Sequence, residues 1–210
     1  GMPLYDSLIH AMGSAGTGGF SSRNLSVGAY NNPAAEVVIG IFMMLFGVNF
    51  SVYYCILKRK YKEAFGNEEL KWYFIIAFSA VILIAINIMP LYEGSVLTSL
   101  RHSFFQVSTI MTTTGYSSTN FDLWPGFSKS ILTALMLIGA CAGSTAGGLK
   151  VTRVITVFKA IGAEIQGIIY PRRVNTVRME GAVVEDKVLK SILIFFCAYM
   201  VLLFSAVLIV

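Results

Sequence analysis

Four stretches of this 210-residue chain are long and apolar enough to be read as membrane spans: residues 34–57, residues 72–89, a run that begins near Phe127, and residues 188–210. A helix needs about 20 apolar residues to cross a hydrocarbon core. Inside lipid every backbone N–H and C=O must find its partner within the protein. A chain made of such runs is therefore held to helices, with irregular backbone only where protein or a water-filled cavity can satisfy it. Composition agrees: 56% of residues are apolar and 13% charged, against roughly 25% charged in a soluble domain. The expectation is an all-α, polytopic membrane protein in contact with the lipid bilayer.

The net charge is +5. In a soluble protein this would suggest a nucleic-acid partner. Here the cations stand in loops beside spans, which is a topology signal, and no nucleic-acid role is expected. Lys58, Arg59, Lys60 and Lys62 follow the first span at once and mark a cytoplasmic end. Of the sixteen Lys and Arg residues, Arg23, Arg101 and Lys129 fall on the side of two loops rich in Gly and Thr. The other thirteen fall on the opposite side or in the segment leading to it, so the two loops are expected to face outward. Cys55, Cys141 and Cys197 all lie in hydrophobic runs and form no CxxC pair. They read as small buried residues, not as a disulfide framework or zinc ligands. The first residues read as a short amphipathic segment, not as a signal peptide.

The two loops are copies of one another. The second is Thr112-Thr113-Thr114-Gly115-Tyr116-Ser117-Ser118, preceded by an apolar helical run at residues 96–111. The first is Ala15-Gly16-Thr17-Gly18-Gly19-Phe20-Ser21-Ser22-Arg23-Asn24, preceded by a short helix at residues 3–12. A shift of 96 residues lays Thr17 on Thr113, Gly19 on Gly115 and Phe20 on Tyr116. The same shift lays Ser21, Ser22 and Asn24 on Ser117, Ser118 and Asn120, and Gly47 on Gly143. Each copy reads as a helix too short to span, a Gly/Thr loop and a long hydrophobic helix: a re-entrant pore loop with its following span. Gly supplies torsion angles closed to other residues, and Thr adds a hydroxyl and a stiff χ1. Such a backbone can turn its carbonyls inward, and rings of carbonyls replace the water shell of a dehydrated cation in potassium channels. A Thr-rich turn between two buried helices is the plainer alternative. His10 on the first short helix reads as a polar group at a helix interface.

Asn31-Asn32-Pro33 is a helix start, with Pro and Glu36 in the first turn. Residues 63–71 read as a short polar connection. The run from Phe127 meets Gly139-Ala140-Cys141-Ala142-Gly143-Ser144-Thr145-Ala146-Gly147-Gly148-Leu149-Lys150, whose four glycines are poor support for a continuous helix. The stretch is expected to be a broken helix lining an ion path, with tight helix packing through small residues as the alternative. It is not a nucleotide-binding P-loop: Leu149 separates Gly148 from Lys150, Val151 follows, and no strand precedes it. Residues 152–170 read as a basic amphipathic helix carrying Arg153, Lys159 and Glu164. Residues 171–187 read as a polar cytoplasmic loop.

Thr-Thr-Gly-Tyr at 113–116, followed one span later by Gly-Ser-Thr-Ala-Gly-Gly-Leu-Lys at 143–150, resembles the TrkH/TrkG/KtrB family of potassium-translocating subunits. The likeness is strong at 112–125 and 139–153, looser at 15–24, and in order and spacing covers nearly the whole chain. The family carries four repeats of outer helix, pore loop and inner helix around one pore. The resemblance implies three parts here: residues 1–62 as pore loop and inner helix of one repeat, 63–170 as a complete repeat, and 171–210 as a cytoplasmic loop and the outer helix of the next. It implies a selectivity filter at Ala15, Gly16, Thr17, Gly18, Gly19 and Phe20 together with Thr112, Thr113, Thr114, Gly115 and Tyr116. Potassium would be held at Thr17, Gly18, Gly19, Thr113, Thr114 and Gly115. It implies a gating loop that includes Gly139, Gly143, Ser144, Thr145, Ala146, Gly147, Gly148 and Lys150. A homodimer on a cytoplasmic ring of nucleotide- and NAD-binding regulatory subunits is implied, in the cell (inner) membrane. The first loop departs from the family pattern, with Gly-Thr-Gly-Gly-Phe in place of Thr-Thr-Gly-Phe, so Gly19→Ser is expected to act more weakly than Gly115→Ser.

The resulting expectation is potassium uptake without a chemical step and without a covalently bound cofactor, K+ being the transported ion. Sodium or unselective cation passage is the rival within transport, and Gly at both 19 and 115 speaks against it. A membrane-embedded enzyme is the rival from another class, but His10 and His102 lie on the two short helices and Ser144 has no evident base.

Overall fold

A computed structural model describes residues 2–170 and 176–209. Its described residues form nine α-helices and one two-stranded hairpin. The helices are α1 (Leu4–Ala15), α2 (Pro33–Phe46), α3 (Phe50–Leu57), α4 (Tyr61–Gly66), α5 (Glu68–Ile88), α6 (Val96–Met111), α7 (Gly126–Ile138), α8 (Val151–Ile169) and α9 (Asp186–Ile209). The expected helical polytopic membrane protein is what the chain forms.

Among the described residues, only α5 and α9 are single helices long and apolar enough to cross a bilayer. The run at 34–57 is not the one straight span the sequence suggests: α2 and α3 meet at an angle of 88°. Lipid would not tolerate the freed carbonyls of such a bend, and each has a partner. Met43 O accepts from Gly47 N, Leu45 O from Val48 N and from the Tyr53 hydroxyl, and Met44 O from the Tyr73 hydroxyl at 3.0 Å. Phe46 O accepts from Thr145 Oγ1 and Gly47 O from Cys141 N at 3.1 Å. The far side of the bend is capped by Asn49, whose Oδ1 accepts from Ser51 N. Gly is required at the corner, where a Cβ on Gly47 would stand 2.4 Å from the Tyr73 hydroxyl oxygen and 2.9 Å from Thr112 Cγ2.

Two further expectations are refined. The polar connection at residues 63–71 is largely helical, because α4 and the start of α5 occupy it and Asn67 caps α5 by accepting from Leu70 N. Within 171–187 a short antiparallel hairpin pairs β1 (Arg178–Met179) with β2 (Ala182–Val183). The basic residues Arg172 and Arg173 of that expected loop lie outside the described residues. In the basic run after α3, Lys60 donates to Glu63 at 2.9 Å, and this hydrogen bond raises its ammonium above the usual range.

The core forms around α5 and α6. Tyr73, Ala77, Ala80, Ile84 and Ile88 recur at three- and four-residue spacing along α5 and are all buried, while Ile75, Phe78, Ile82 and Ile86 are exposed. That division is a helix with one protein face and one lipid face. The buried stripe packs on Val107, Ile110 and Met111 of α6 and Leu132 and Leu135 of α7. Helix α6 is buried yet polar. Its Ser99 and Ser108 hydroxyls return to the carbonyls of Ser95 and Phe104, four residues earlier, and the Gln106 amide donates to Thr119 O beyond the helix end. Helix α9 has no buried residue and touches the rest where the Arg153 guanidinium lies 4.2 Å from the Phe195 ring centre.

Candidate ion-conducting site

The two Gly/Thr loops begin with the same three backbone hydrogen bonds. In the first, Gly16 N donates to Met12 O, Thr17 N to Ser14 O and Gly18 N to Gly13 O. In the second, Thr112 N donates to Ser108 O, Thr113 N to Ile110 O and Thr114 N to Thr109 O. Every partner differs by the 96-residue shift. The torsions repeat as well: φ is +49° at Thr17 and +67° at Gly19, and +55° at Thr113 and +89° at Gly115, with Gly18 and Thr114 outside the left-handed region. A β-branched residue at positive φ is an outlier. Two of them at equivalent places store about 1–3 kcal/mol each and mark a backbone held for a purpose. Alternation between the two hands prevents successive carbonyls from pointing to opposite sides, as they do in a uniform strand.

The loops lie against each other. A Cβ on Gly19 would fall 1.8 Å from Thr114 O, so only Gly fits there. The Tyr116 hydroxyl lies 3.3 Å from both His10 O and Phe20 O. Gly28 N donates to Ser117 O, and Ser117 N to Ser26 Oγ. A cleft of about 440 Å³ opens between the loops, lined by Asn24, Leu25, Gly28, Ser117, Ser118 and Asn120. Side chains brace the second loop from within: Thr112 Oγ1 donates to Ser108 O at 2.6 Å and lies 2.8 Å from Thr114 Oγ1. The first loop is tied to its own helix by Ser22, whose hydroxyl donates to Asp6 Oδ1 at 2.6 Å. His10 sits at a helix interface as expected, with Nδ1 at 2.7 Å from Asp6 O and Nε2 at 3.0 Å from Ser21 Oγ.

The glycine-rich segment at 139–150 is non-helical throughout. Its two ends meet: a Cβ on Gly139 would fall 2.5 Å from Gly147 O, and one on Gly148 would fall 2.9 Å from Gly139 Cα. Lys150 N donates to Ile138 O and Val151 N to Ala140 O, which carries the chain back to α8. The Lys150 ammonium donates to Ala146 O, and the Ser144 hydroxyl to Cys141 O. The segment reaches both loops through their equivalent threonines. Thr17 Oγ1 donates to Thr145 O at 3.0 Å, and Gly147 N donates to Thr113 Oγ1 at 2.7 Å. It also interlocks with the α2–α3 bend, where Phe50 N donates to Gly143 O and Cys141 N to Gly47 O. The structure thus brings all three predicted stretches, 15–20, 112–116 and 139–150, into one contiguous body.

Three participants escaped the sequence reading. Glu36, read as a dipole partner in a first turn, is 4% exposed and pairs with Arg101 of α6 at 3.2 Å. Glu69 is 3% exposed and bonds the glycine-rich segment. The bend at Gly47 did have a signal, since Gly47 falls on Gly143 in the 96-residue shift.

The family model of TrkH, described as a cation transport protein, matches residues 1–210. The potassium uptake protein TrkG of the Trk system of Escherichia coli is 32% identical over 200 residues, covering 95% of this chain and 41% of its own length. TrkH of Salmonella typhimurium, from the same system, is 31% identical over 202 residues, covering 95% of this chain and 42% of its own. An uncharacterized cation transporter of Methanocaldococcus jannaschii is 34% identical over 173 residues. The crystal structure of the potassium transporter TrkH from Vibrio parahaemolyticus superposes with a TM-score of 0.90 at 26% identity, covering 96% of this chain and 44% of that one. The chain thus spans about two fifths of the length of these potassium-uptake relatives.

Proposed function

The chain belongs to the TrkH family of cation transport proteins, and from that premise we propose that it supplies two of the loops of a potassium-selective path across the cell membrane. The observation that carries this reading is the repeated left-handed backbone at Thr17 and Gly19 and at Thr113 and Gly115. Carbonyls held in this way substitute for the hydration shell of K+ at Thr17, Gly18, Gly19, Thr113, Thr114 and Gly115. Their neighbours Ala15, Gly16, Phe20, Thr112 and Tyr116 fix the two loops in place. The ion moves down the membrane potential, which supplies about 2.3 kcal/mol per charge per 100 mV. The family carries out transport and not catalysis, so the membrane-enzyme rival falls away.

Under the loops, the segment from Gly139 to Lys150 acts as the gate. It is bonded to both filter threonines and is irregular backbone at membrane depth, which suits a cavity lining. Opening it requires breaking the Thr17–Thr145 and Gly147–Thr113 bonds. The relatives' names place them in a Trk system, and a regulatory partner on the cytoplasmic face, a homodimeric assembly and an inner-membrane location belong to the same proposal.

The test is ion uptake by the full-length parent protein in cells that lack other potassium uptake systems. Potassium uptake should far exceed sodium uptake, and deletion of residues 143–147 should raise basal flux. Equal uptake of both ions by the intact protein would defeat the filter reading. Unchanged basal flux after the deletion, with normal protein in the membrane, would defeat the gate reading.

A further inference from the structure

We infer that Glu69 is the positioning residue that tethers the glycine-rich segment, a role that rests on the gate reading for its effect on flux. Glu69 lies in the first turn of α5 but does not serve its own helix, which Asn67 already caps. Its Oε1 instead accepts from two distant backbone groups. One is Ala142 N at 2.6 Å, in the middle of the segment, and the other is Thr152 N at 3.2 Å, in the first turn of α8. One carboxylate oxygen therefore joins the outer helix to both the segment and the helix that follows it.

The chemistry suits the place. Helix α8 enters through Lys150 at φ +76°, and the Lys150 side chain caps none of the helix's first N–H groups. The first N–H groups of a helix need external acceptors, and an anion there is favoured by the helix dipole. Ala142 N belongs to a non-helical stretch and has no ladder to join. A buried carboxylate accepting two backbone N–H groups is a charge-assisted arrangement, about twice as strong as neutral hydrogen bonds. Its neighbour Glu68 turns to other partners, Lys159 at 2.5 Å and Glu180 N at 3.3 Å on the hairpin. Two adjacent glutamates thus hold different parts, and only Glu69 holds the segment.

Cys141, next to Ala142 and fully buried, is a natural reporter of the tether. The experiment uses the full-length parent with every other cysteine replaced, and follows alkylation of Cys141 by a maleimide alongside potassium flux without the regulatory partner and the melting temperature. Glu69→Ala should raise the Cys141 rate about tenfold, the scale of losing hydrogen bonds to a charged group. Glu69→Gln, which keeps an oxygen but not the charge, should raise it about threefold. Glu68→Ala should leave Cys141 protected. Melting should move by no more than a few degrees in all three. If Glu69→Ala does not accumulate in the membrane, Glu69→Gln decides the matter. A Cys141 rate in Glu69→Gln equal to that of the parent overturns the tether, as does a rate in Glu68→Ala that matches Glu69→Ala. A Cys141 that becomes reactive while flux stays unchanged upholds the tether and sinks the gate reading alone.

Discussion

At Thr17 and Thr113 the chain makes the same left-handed turn after the same helix-end hydrogen bonds, yet Phe20 of the first loop is 79% exposed and its counterpart Tyr116 is 1% exposed. The second loop carries hydroxyls at Thr112 and Thr114 that link to one another, whereas Gly16 and Gly18 occupy those places in the first. The first loop is instead braced from outside. Thr114 O presses on Gly19, and the Tyr116 hydroxyl reaches Phe20 O. The loop backbone is therefore set locally, by a helix end, one Thr and one Gly. Its rigidity is set by whatever lies beside it.

The close contact at Gly19 gives its substitution the larger expected effect on uptake. Gly19→Ser adds both positive-φ strain and a collision with a backbone carbonyl 1.8 Å away. It should lower potassium uptake by the full-length parent at least about 100-fold, since 3 kcal/mol or more of strain is involved. Potassium transport kinetics in uptake-deficient cells measure this, and a variant that transports like the parent breaks the claim that the two loops touch. Gly115→Ser comes next. Its φ is +89°, but no described atom lies within 4 Å of a Cβ, so strain of about 1–3 kcal/mol acts alone. The protein should still transport, with sodium uptake raised about tenfold relative to potassium. A sodium-to-potassium ratio left at the parent's value would exclude Gly115 from the proposed filter.

Tyr116→Phe is a subtler probe, because it deletes only the hydroxyl that reaches His10 O and Phe20 O. A lost hydrogen bond of about 0.5–1.5 kcal/mol should reduce potassium-over-sodium preference a few-fold by loosening the first loop. If the preference fell no further than in Ser117→Ala, bracing from the second loop would be unimportant. Ser117→Ala itself removes a hydroxyl that bonds only Thr119 O within its own turn. It should change uptake by less than twofold.

The spans at α5 and α9, the two short helices and the irregularity of 139–150 were legible because each is written in local pattern: apolar length, the 96-residue repeat and clustered glycine. The bend at Gly47 was hidden from hydropathy, because residues on both sides of it are equally apolar, although the repeat lays Gly47 on Gly143. It exists because Tyr53 on α3, Tyr73 on α5, and Thr145 and Cys141 in the glycine-rich segment stand where its freed carbonyls need donors. The same reason hid Glu36 and Glu69. A glutamate in a first turn looks like a dipole partner of its own helix, and only packing reveals that its oxygen is aimed at Arg101 or at Ala142. The hairpin at 178–183, with two residues in each strand, is too short to leave a periodic signature.

If both loops line one dehydrated cation path, as proposed, heavy-ion crystallography will locate the ion between them. Crystals of the full-length parent grown in rubidium should show anomalous density within coordination distance of carbonyls from Thr17, Gly18 and Gly19 and from Thr113, Thr114 and Gly115. Peaks shared by the two loops are the predicted result. Rubidium density confined to other parts of the molecule, with neither loop in contact with an ion, would contradict the account.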